Sequence, residues 1–331
     1  INIDNLSYSS NPHFINKIEK NKNYTFINAN INDRKKIKNI FEIHQPDKLM
    51  HLAAETHVDR SIENPFQFIE TNIIGTYNLL EISKNYFQSI SEQKKKRFTF
   101  HHISTDEVFG DLDDCNSLFT ENTRYNPSSP YSASKASSDH LVRAWSRTFG
   151  LPTIISNCSN NYGPNQYREK LIPLIISRAL NLQSLPIYGN GGQIRDWLYV
   201  EDHIKALIKI SLNSKNLDYY NIGGNAEKTN LEVVKKICSV LDEIQPIKSD
   251  RYKIYADLIN FVEDRPGHDK RYAIDTTKIE KDLNWYPVET FDSGIRKTIN
   301  WYIENRELLL KDNNSDNVLR RRGLINNWKG I

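Results

Sequence analysis

RFTFHHISTDE, residues 97–107, is a strand-like run with an abrupt polar end. Residues 97–104 predict a buried β-strand, and Thr105, Asp106 and Glu107 place a hydroxyl and two carboxyls directly after it. Simple alcohol oxidation needs no carboxyl pair, so this pair indicates an additional acid–base step. A Thr-Asp-Glu sequence is also typical of a helix N-cap with acidic residues in the first turn. Both interpretations stay open on this segment alone.

The segment YSASK, residues 131–135, supplies a second chemical group. Tyr131 and Lys135 are four residues apart, which places their side chains on one face of the helix predicted over 131–149. A cationic lysine beside a phenol lowers the pKa of the phenol, so Tyr131 is a candidate base at neutral pH. The same spacing occurs in ordinary amphipathic helices. Only the joint occurrence of both segments indicates an oxidation followed by an elimination.

Strand and helix patterns alternate through the first half of the chain. This alternation predicts an α/β fold, a Rossmann-type doubly wound parallel sheet. In such sheets ligands bind at the carboxyl ends of the strands, where residues 53–55, 105–107 and 157–161 all fall. The predicted strands are 1–4, 24–29, 48–53, 97–104 and 152–157, and the predicted helices are 34–44, 65–86 and 131–149.

The second half of the chain has a less regular pattern of strands and helices, and this difference predicts two domains with different functions. We expect residues 1–160 to form the Rossmann domain and residues 161–305 to form a smaller C-terminal lobe for the substrate. Within that lobe, residues of about 194–224 are expected to contribute late strands to the sheet. Residues 306–331 are polar and predict a peripheral tail.

The composition argues against several classes of partner. A net charge of +3, from 44 basic and 41 acidic residues, predicts neither a nucleic-acid nor a membrane partner. Cys115, Cys158 and Cys238 lack the spacing of a metal or redox site, and with no signal peptide in the sequence we expect a cytoplasmic location. His101 and His102 belong to the strand pattern, so we expect packing or site-wall roles and no metal.

Eight short motifs occur in the order of one known family. With them the chain resembles the extended short-chain dehydrogenase/reductases, and most closely the dTDP-glucose 4,6-dehydratase family. The motifs are DNLSY at 4–8, HLAAETHVDRS at 51–61, TNIIGT at 71–76, STDEVFG at 104–110, YSASKASSDH at 131–140, NCSNNYGP at 157–164, QIRDWLYVEDH at 193–203 and DRPGHD at 264–269.

The resemblance has two departures. The family begins with a strand, a glycine-rich turn and a helix that together hold the cofactor pyrophosphate, and no such unit precedes Ile1 in this sequence. We expect an N-terminally truncated part of a normal enzyme, and the alternative is a short chain that binds NAD poorly. At Asn30 the family usually has an aspartate, but an amide can still contact adenine.

The resemblance implies a reaction, the NAD-dependent dehydration of the nucleotide-diphosphate sugar dTDP-glucose to its 4-keto-6-deoxy product in deoxysugar and rhamnose biosynthesis. It implies that Tyr131 removes the C4 hydroxyl proton, that Thr105 hydrogen-bonds the C4 oxygen, and that Lys135 holds the nicotinamide ribose. Glu107 would take the C5 proton and Asp106 would protonate the leaving C6 hydroxyl. One carboxyl must therefore be ionised while the other is protonated.

The resemblance also implies two sets of binding residues. An acid at Asp4 favours a free ribose hydroxyl and hence NAD over NADP, although by itself Asp4 would read as a strand-terminal turn residue. The implied cofactor contacts are Asp4, Asn5, Asn30, Ile31, Leu52, Ala53, Ala54, Thr71, Tyr131, Lys135 and Asn161. The implied substrate contacts are Thr56, Thr105, Asn160, Lys170, Leu171, Pro186, Tyr188, Arg195, Asn230, Asp264, Arg265 and His268.

Simpler interpretations exist for parts of the substrate set. Arg195 and Arg265 suit a diphosphate, because a guanidinium can bind it in bidentate fashion. Arg195 could instead form a local ion pair with Asp196, and residues 264–267 also fit a surface turn. Trp197 and Tyr199 favour packing of the lobe over stacking on a base.

The assembly and the reaction class also have alternatives. The helices predicted at 65–86 and 131–149 match the family's dimer interface, so we expect a homodimer through a four-helix bundle. The same scaffold carries nucleotide-sugar epimerases, decarboxylases and other dehydratases, and Asp106 beside Glu107 argues for the glucose dehydratase. A non-catalytic dinucleotide-fold module is the remaining alternative.

Overall fold

The computed structural model describes residues 1–112, 116–213 and 218–309. Cys115 and most of the predicted tail, residues 310–331, lie outside the described residues. The described part of that tail is a 3₁₀ turn at Arg306–Leu308, in which Arg306 donates a hydrogen bond to the carbonyl oxygen of Leu180 at 2.9 Å. The described residues divide into two compact units: those within 1–108, 129–157 and 208–220 form the first, and those within 109–128, 158–207 and 221–309 form the second.

The strands of the two units are β1 (Asn2–Asp4), β2 (Phe26–Asn28), β3 (Lys48–His51), β4 (Thr99–Thr105), β5 (Thr153–Cys158), β6 (Asn160–Tyr162), β7 (Leu185–Tyr188), β8 (Ile194–Tyr199), β9 (Asp218–Ile222), β10 (Glu227–Thr229) and β11 (Ile259–Val262). In the first unit the strands are parallel where their register is defined, with β1 beside β2 and β3 beside β4.

Four sheets contain these strands, in the orders β1-β2, β3-β4-β5-β9, β10-β8-β6 and β11-β7. The predicted α/β class with parallel strands is confirmed. The predicted single sheet is divided in the first unit, because no strand of the described residues hydrogen-bonds to both β1 and β3.

The helices agree with the sequence pattern where capping signals are strong. The helices are α1 (Pro12–Ile18), α2 (Arg34–His44), α3 (Val58–Glu63), α4 (Pro65–Phe68), α5 (Thr76–Ser89), α6 (Glu92–Lys95), α7 (Pro130–Phe149), α8 (Leu171–Leu180), α9 (Val200–Asn213), α10 (Asn230–Ile244), α11 (Thr277–Leu283) and α12 (Phe291–Glu304). The predicted bounds of α2 are confirmed, because Asp33 caps its first turn by accepting from the backbone N–H of Lys36.

The helix predicted at 65–86 is interrupted. A π-helical segment, Ile69–Gly75, joins α4 to α5. A Cβ on Gly75 would lie 2.4 Å from the Cδ1 atom of Ile31, so glycine permits the close approach of this helix to residue 31. Thr71, an implied cofactor contact, lies in the π-helical segment, where such widened turns frequently mark functional sites.

Each unit has its own hydrophobic core. In the first unit, Phe98 and Phe100 of the β4 region pack with Ile37 of α2 and Leu80 of α5. In the second unit, Trp197 and Tyr199 are buried with Tyr162 and Phe291, so the predicted packing role of these two residues is confirmed. Burial of such large rings supplies most of the favourable folding free energy of a unit.

Candidate active site

The carboxyl pair follows β4 on a tight 3₁₀ turn, Asp106–Phe109. Thr105 ends the strand, and its hydroxyl donates to Asp106 Oδ1 at 3.2 Å and accepts from the backbone N–H of Glu107 at 3.3 Å. Asp106 is only 1% exposed, whereas Glu107 is half-buried. The turn therefore gives the two neighbouring carboxyls different degrees of contact with solvent.

Tyr131 and Lys135 lie on the first turns of α7. The helix is set by a capping box between Ser129 and Ser132. Both candidate catalytic side chains are buried, and Lys135 Nζ donates to the carbonyl oxygen of Ile103 in β4 at 2.8 Å. This hydrogen bond ties α7 to the strand that carries Thr105. The predicted helix and strand are thus brought together in the first unit.

Tyr131 is positioned by contacts with residues that were not predicted from the sequence. Its ring packs edge-on against Phe68, with centroids 6.3 Å apart, and its carbonyl oxygen accepts from the hydroxyl of Ser134 at 2.6 Å. Asn72 donates to Ser134 Oγ at 2.8 Å and pairs with the backbone N–H and C=O of Glu55 at 2.9 and 3.0 Å. Asn72 belongs to the TNIIGT motif, which was the available sequence signal.

The adjacent histidines of β4 have the packing role that their strand pattern predicted. His101 is buried between the hydroxyls of Ser156 and Ser211, at 3.0 and 2.9 Å. Burial, and secondarily Lys135, lower the pKa of His102 to about 4, with Asp139 opposing the shift. Burial likewise lowers the pKa of His51, whose ring lies 5.1 Å from that of His102. Both rings are therefore neutral at pH 7.

The predicted cofactor residues of the first unit fall at the carboxyl ends of strands. Asp4 ends β1, and its carboxylate accepts from the backbone N–H of Leu6 and the hydroxyl of Ser10 at 2.6 and 3.1 Å. Asn30 is exposed and Ile31 is buried in the turn after β2. Asn5 follows β1 and is exposed. Leu52, Ala53 and Ala54 follow β3 and are exposed or half-buried, and the substrate candidate Thr56 is exposed on the same segment.

Asn160 and Asn161 lie on β6 of the second unit. The Oδ1 atoms of both side chains are buried and accept no hydrogen bond from the described residues. The amide nitrogen of Asn161 donates to Ser159 O at 3.1 Å and to Cys158 Sγ at 3.3 Å, which fixes the direction of its oxygen. Buried amide oxygens in this state suit a hydrogen-bond donor of a ligand.

The segment DRPGHD forms a compact polar cluster of the second unit. Asp264 accepts from the backbone N–H of Arg265 at 2.8 Å and lies 2.7 Å from His268 Nδ1. Burial and the nearby Arg265 lower the pKa of His268 to about 4, although Asp264 opposes this shift. The ring of Tyr188, at the end of β7, meets that of His268 edge-on at 6.1 Å. Pro186 lies two residues earlier on the same strand.

Gln193 connects two predicted substrate residues and was not itself selected from the sequence. Its Nε2 atom donates to Asp264 Oδ2 at 2.7 Å, and its Oε1 atom accepts from Asn230 Nδ2 at 3.5 Å. Lys170 is the N-cap residue of α8, and Leu171 is the first residue of this helix. The sequence signal for Gln193 is its position in the QIRDWLYVEDH motif.

Arg195 is bound by main-chain carbonyls. Its Nη1 and Nη2 atoms donate to the carbonyl oxygens of Ile194 and Asp269 at 2.7 and 2.9 Å, and its guanidinium lies over the ring of Tyr272. Asp196 accepts instead from the backbone N–H groups of Gly224 and Ala226. Arg195 is therefore oriented by residues 269–272.

The described residues contain neither a cluster of candidate metal ligands nor a membrane-spanning helix. Residues 1–112, 116–213 and 218–309 contain no group of three or more His, Cys, Asp or Glu side chains that could hold a metal ion. None of the helices in these ranges combines the length and the apolar character needed to span a bilayer.

Comparison with known proteins extends these observations. The family model described as GDP-mannose 4,6 dehydratase matches residues 1–298. The dTDP-glucose 4,6-dehydratase of Escherichia coli is 56% identical over 333 residues, which cover 98% of this chain and 92% of that protein. The crystal structure of the Bacillus anthracis dTDP-glucose 4,6-dehydratase in complex with NAD superposes with a TM-score of 0.80 at 39% identity, covering 92% of this chain and 88% of that one.

A further solved structure shows how widely the fold is shared. The UDP-glucuronic acid 4-epimerase of Bacillus cereus, in complex with UDP-glucuronic acid and NAD, has a TM-score of 0.78 at 26% identity, and covers 92% of this chain and 90% of that one. The fold and the Tyr-Lys helix thus define a short-chain dehydrogenase/reductase that acts on nucleotide sugars. The chain belongs to the nucleotide-sugar dehydratase family, and its predicted resemblance to the dTDP-glucose 4,6-dehydratases is confirmed.

Proposed function

We propose that this chain is a hydro-lyase that converts dTDP-glucose to dTDP-4-keto-6-deoxyglucose with NAD as cofactor. One observation carries the proposal. Thr105 ends β4, the buried Asp106 and the half-buried Glu107 follow on the next turn, and Lys135 is hydrogen-bonded to the same strand. Identities of 54–58% to dTDP-glucose 4,6-dehydratases favour this substrate over the epimerase chemistry of more distant neighbours.

The residues present fit NAD. Asp4 offers a carboxylate held at the end of β1, which suits the adenosine ribose. Leu52 and Ala53 are exposed after β3, and the Asn161 Oδ1 atom of the second unit accepts no hydrogen bond from the described residues. When bound, NAD would supply a hydride acceptor for C4 and a hydride donor for C6. For the remaining contacts with NAD, we propose the cofactor residues that the family resemblance implies.

The acid–base steps are assigned to side chains of the first unit. Tyr131 accepts the C4 hydroxyl proton while Thr105 hydrogen-bonds the C4 oxygen, and Lys135 favours the phenolate. The C4 ketone acidifies the C5 proton, which Glu107 takes, and a proton must be returned to C5 when hydride is added at C6. Asp106 gives its proton to the C6 hydroxyl, which leaves as water. The buried Asp106 and the half-buried Glu107 differ in their contact with solvent, which is consistent with different roles for the two carboxyls.

The deciding experiment is product analysis. The purified protein, given dTDP-glucose and NAD without any added reductant, is expected to form a 4-keto-6-deoxy sugar with no net consumption of NAD. Recovery of a C4 epimer alone would replace this proposal by the epimerase alternative. Absence of both turnover and NAD binding would favour a non-catalytic module.

For the second unit we propose binding of the nucleotide diphosphate by Arg195, Arg265 and the polar cluster around His268. Arg265→Ala is expected to raise KM for dTDP-glucose about 10- to 100-fold with a smaller change in kcat, because a hydrogen bond to a charged group contributes about 1.5–3 kcal/mol. Steady-state kinetics beside the exposed Arg251→Ala control measure this effect. An unchanged KM for Arg265→Ala would remove this residue from the binding set.

We further propose that the chain forms a homodimer through a four-helix bundle of α4–α5 and α7. These helices of the first unit carry exposed apolar side chains, including Phe66 at 68% and Ile74 at 47%. Ile74→Glu is expected to yield monomers in light scattering coupled to gel filtration, because a buried charge without a partner opposes the interface. Ile43→Glu, at a 64% exposed position of α2, is the matched control. A dimeric Ile74→Glu protein would contradict this interface.

We propose a cytoplasmic location for this enzyme. Support comes from the buried Cys238, which forms no disulfide with a described residue, as suits a reducing compartment. Recovery of the protein from an oxidising compartment in cell fractionation would contradict it.

A further inference from the structure

A buried carboxylate of α7 lies behind the proposed catalytic residues. Asp139 is one turn beyond Lys135 on α7, and its side chain is fully buried. It accepts a hydrogen bond from Ser104 Oγ at 2.9 Å and a longer one from Asn157 Nδ2 at 3.4 Å, and it lies 3.2 Å from His102 Nε2. A buried carboxylate is costly unless it is hydrogen-bonded and balanced by charge, so this arrangement needs a reason.

The groups around Asp139 belong to the end of β4. Asn157, which donates to Asp139, also donates to the carbonyl oxygen of Thr105 at 3.0 Å through the same amide nitrogen. Lys135 donates to the carbonyl oxygen of Ile103. Residues 102–105 of β4 are therefore each contacted by α7 or β5 through this one network.

Two cations of α7 lie one helical turn from Asp139, Lys135 before it and Arg143 after it, and Lys135 is the one that is hydrogen-bonded to β4. His102, which lies beside this carboxylate, and the neighbouring His51 are neutral at pH 7 because burial lowers the pKa of each. Lys135 and Asp139 are spaced i and i+4 on one helix face and both act electrostatically on His102. The positions of the Lys135 ammonium and of the end of β4 are thus set together.

We propose that Asp139 is a positioning residue for the oxidation at C4: it holds Lys135 of α7 and Thr105 of β4 in mutual register. This inference rests on the proposed function, because it concerns the first step of that reaction. The elimination at C5 and C6 depends on Glu107 and Asp106, which lie beyond the strand on the 3₁₀ turn. Loss of the Asp139 charge should therefore affect oxidation more than elimination.

The test compares Asp139→Asn with Ser138→Ala. Asparagine keeps the size of the side chain and its ability to accept from Ser104, but it removes the charge. Ser138 is equally buried on α7, and its hydroxyl donates to Ser134 O and Lys135 O of its own helix, so Ser138→Ala controls for disturbance of the helix alone. Single-turnover formation of enzyme-bound NADH reports the oxidation step, and solvent exchange at C5 reports the next one.

For Asp139→Asn we expect oxidation about tenfold slower or more, since small displacements of reacting groups have effects of this size. We also expect a larger isotope effect with C4-deuterated substrate, and a KM within about twofold of the unchanged protein. An oxidation rate equal to that of Ser138→Ala, or equal losses in every step together with a lower melting temperature, would overturn the proposal.

A second variant keeps the test decisive if Asp139→Asn does not fold. Ser104→Ala removes one hydrogen bond to Asp139 and leaves the charge in place. It is expected to raise the C4 isotope effect to a smaller extent, and an unchanged isotope effect would overturn the proposal. If the unchanged protein fails to convert dTDP-glucose, the proposed function itself has failed. If the unchanged protein is active and both variants match it, only the role of Asp139 has failed.

Discussion

Glu107→Gln is expected to abolish C5 proton exchange while C4 oxidation continues. Glutamine preserves the shape of the side chain and its place on the 3₁₀ turn after Thr105, but it cannot accept the C5 proton. Loss of a general base lowers a rate by about 10²–10⁴-fold, so overall dehydration should fall by this factor. Bound NADH should accumulate, because the 4-keto intermediate cannot proceed.

The measurement is mass spectrometry of substrate and product recovered from deuterated water, together with the absorbance of enzyme-bound NADH. Asp106→Asn is the informative comparison, since its neighbouring carboxyl is assigned to the leaving C6 hydroxyl. Asp106→Asn should retain deuterium exchange at C5 and yet release little product. If Glu107→Gln retains the exchange and Asp106→Asn loses it, the two roles must be reversed.

Much of this site could be predicted from local sequence. The 3.6-residue period of the helix places Tyr131 beside Lys135, and the strand pattern before Thr105 places the carboxyls at the end of β4, where the structure has them. Capping signals are equally local, which explains why the bounds of α2 and the start of α7 were predicted within a residue.

The rest depends on contacts between distant parts of the chain. The hydrogen bond from Ser104 to Asp139 spans 35 residues and that from Asn157 to Thr105 spans 52, and no periodicity reports either one. The close approach of Gly75, at the end of the π-helical segment, to Ile31 is likewise a contact between distant residues. Gln193 and Asn72 are polar residues within motifs, and only the fold shows which backbone or carboxyl group each one holds.

Tyr131→Phe is expected to stop the reaction at its first step. Phenylalanine keeps the ring that packs against Phe68, so α7 should retain its position, but no group remains to take the C4 hydroxyl proton. Hydride transfer from C4 should slow by about 10²–10⁴-fold, since oxidation and deprotonation at C4 occur together. Neither bound NADH nor C5 exchange should then be detected, in contrast to the result expected for Glu107→Gln.

Stopped-flow absorbance of bound NADH distinguishes these outcomes, and Tyr86→Phe provides the control. Tyr86 is a partly buried tyrosine of the same unit whose hydroxyl donates to Pro46 O at 3.1 Å, so its replacement also removes one hydrogen bond without reaching the proposed site. If Tyr131→Phe still forms NADH at the rate of Tyr86→Phe, another group takes the C4 proton. In that case a base other than Tyr131 removes the C4 hydroxyl proton. Thr105, which ends the strand to which Lys135 is hydrogen-bonded, would be the next residue to replace.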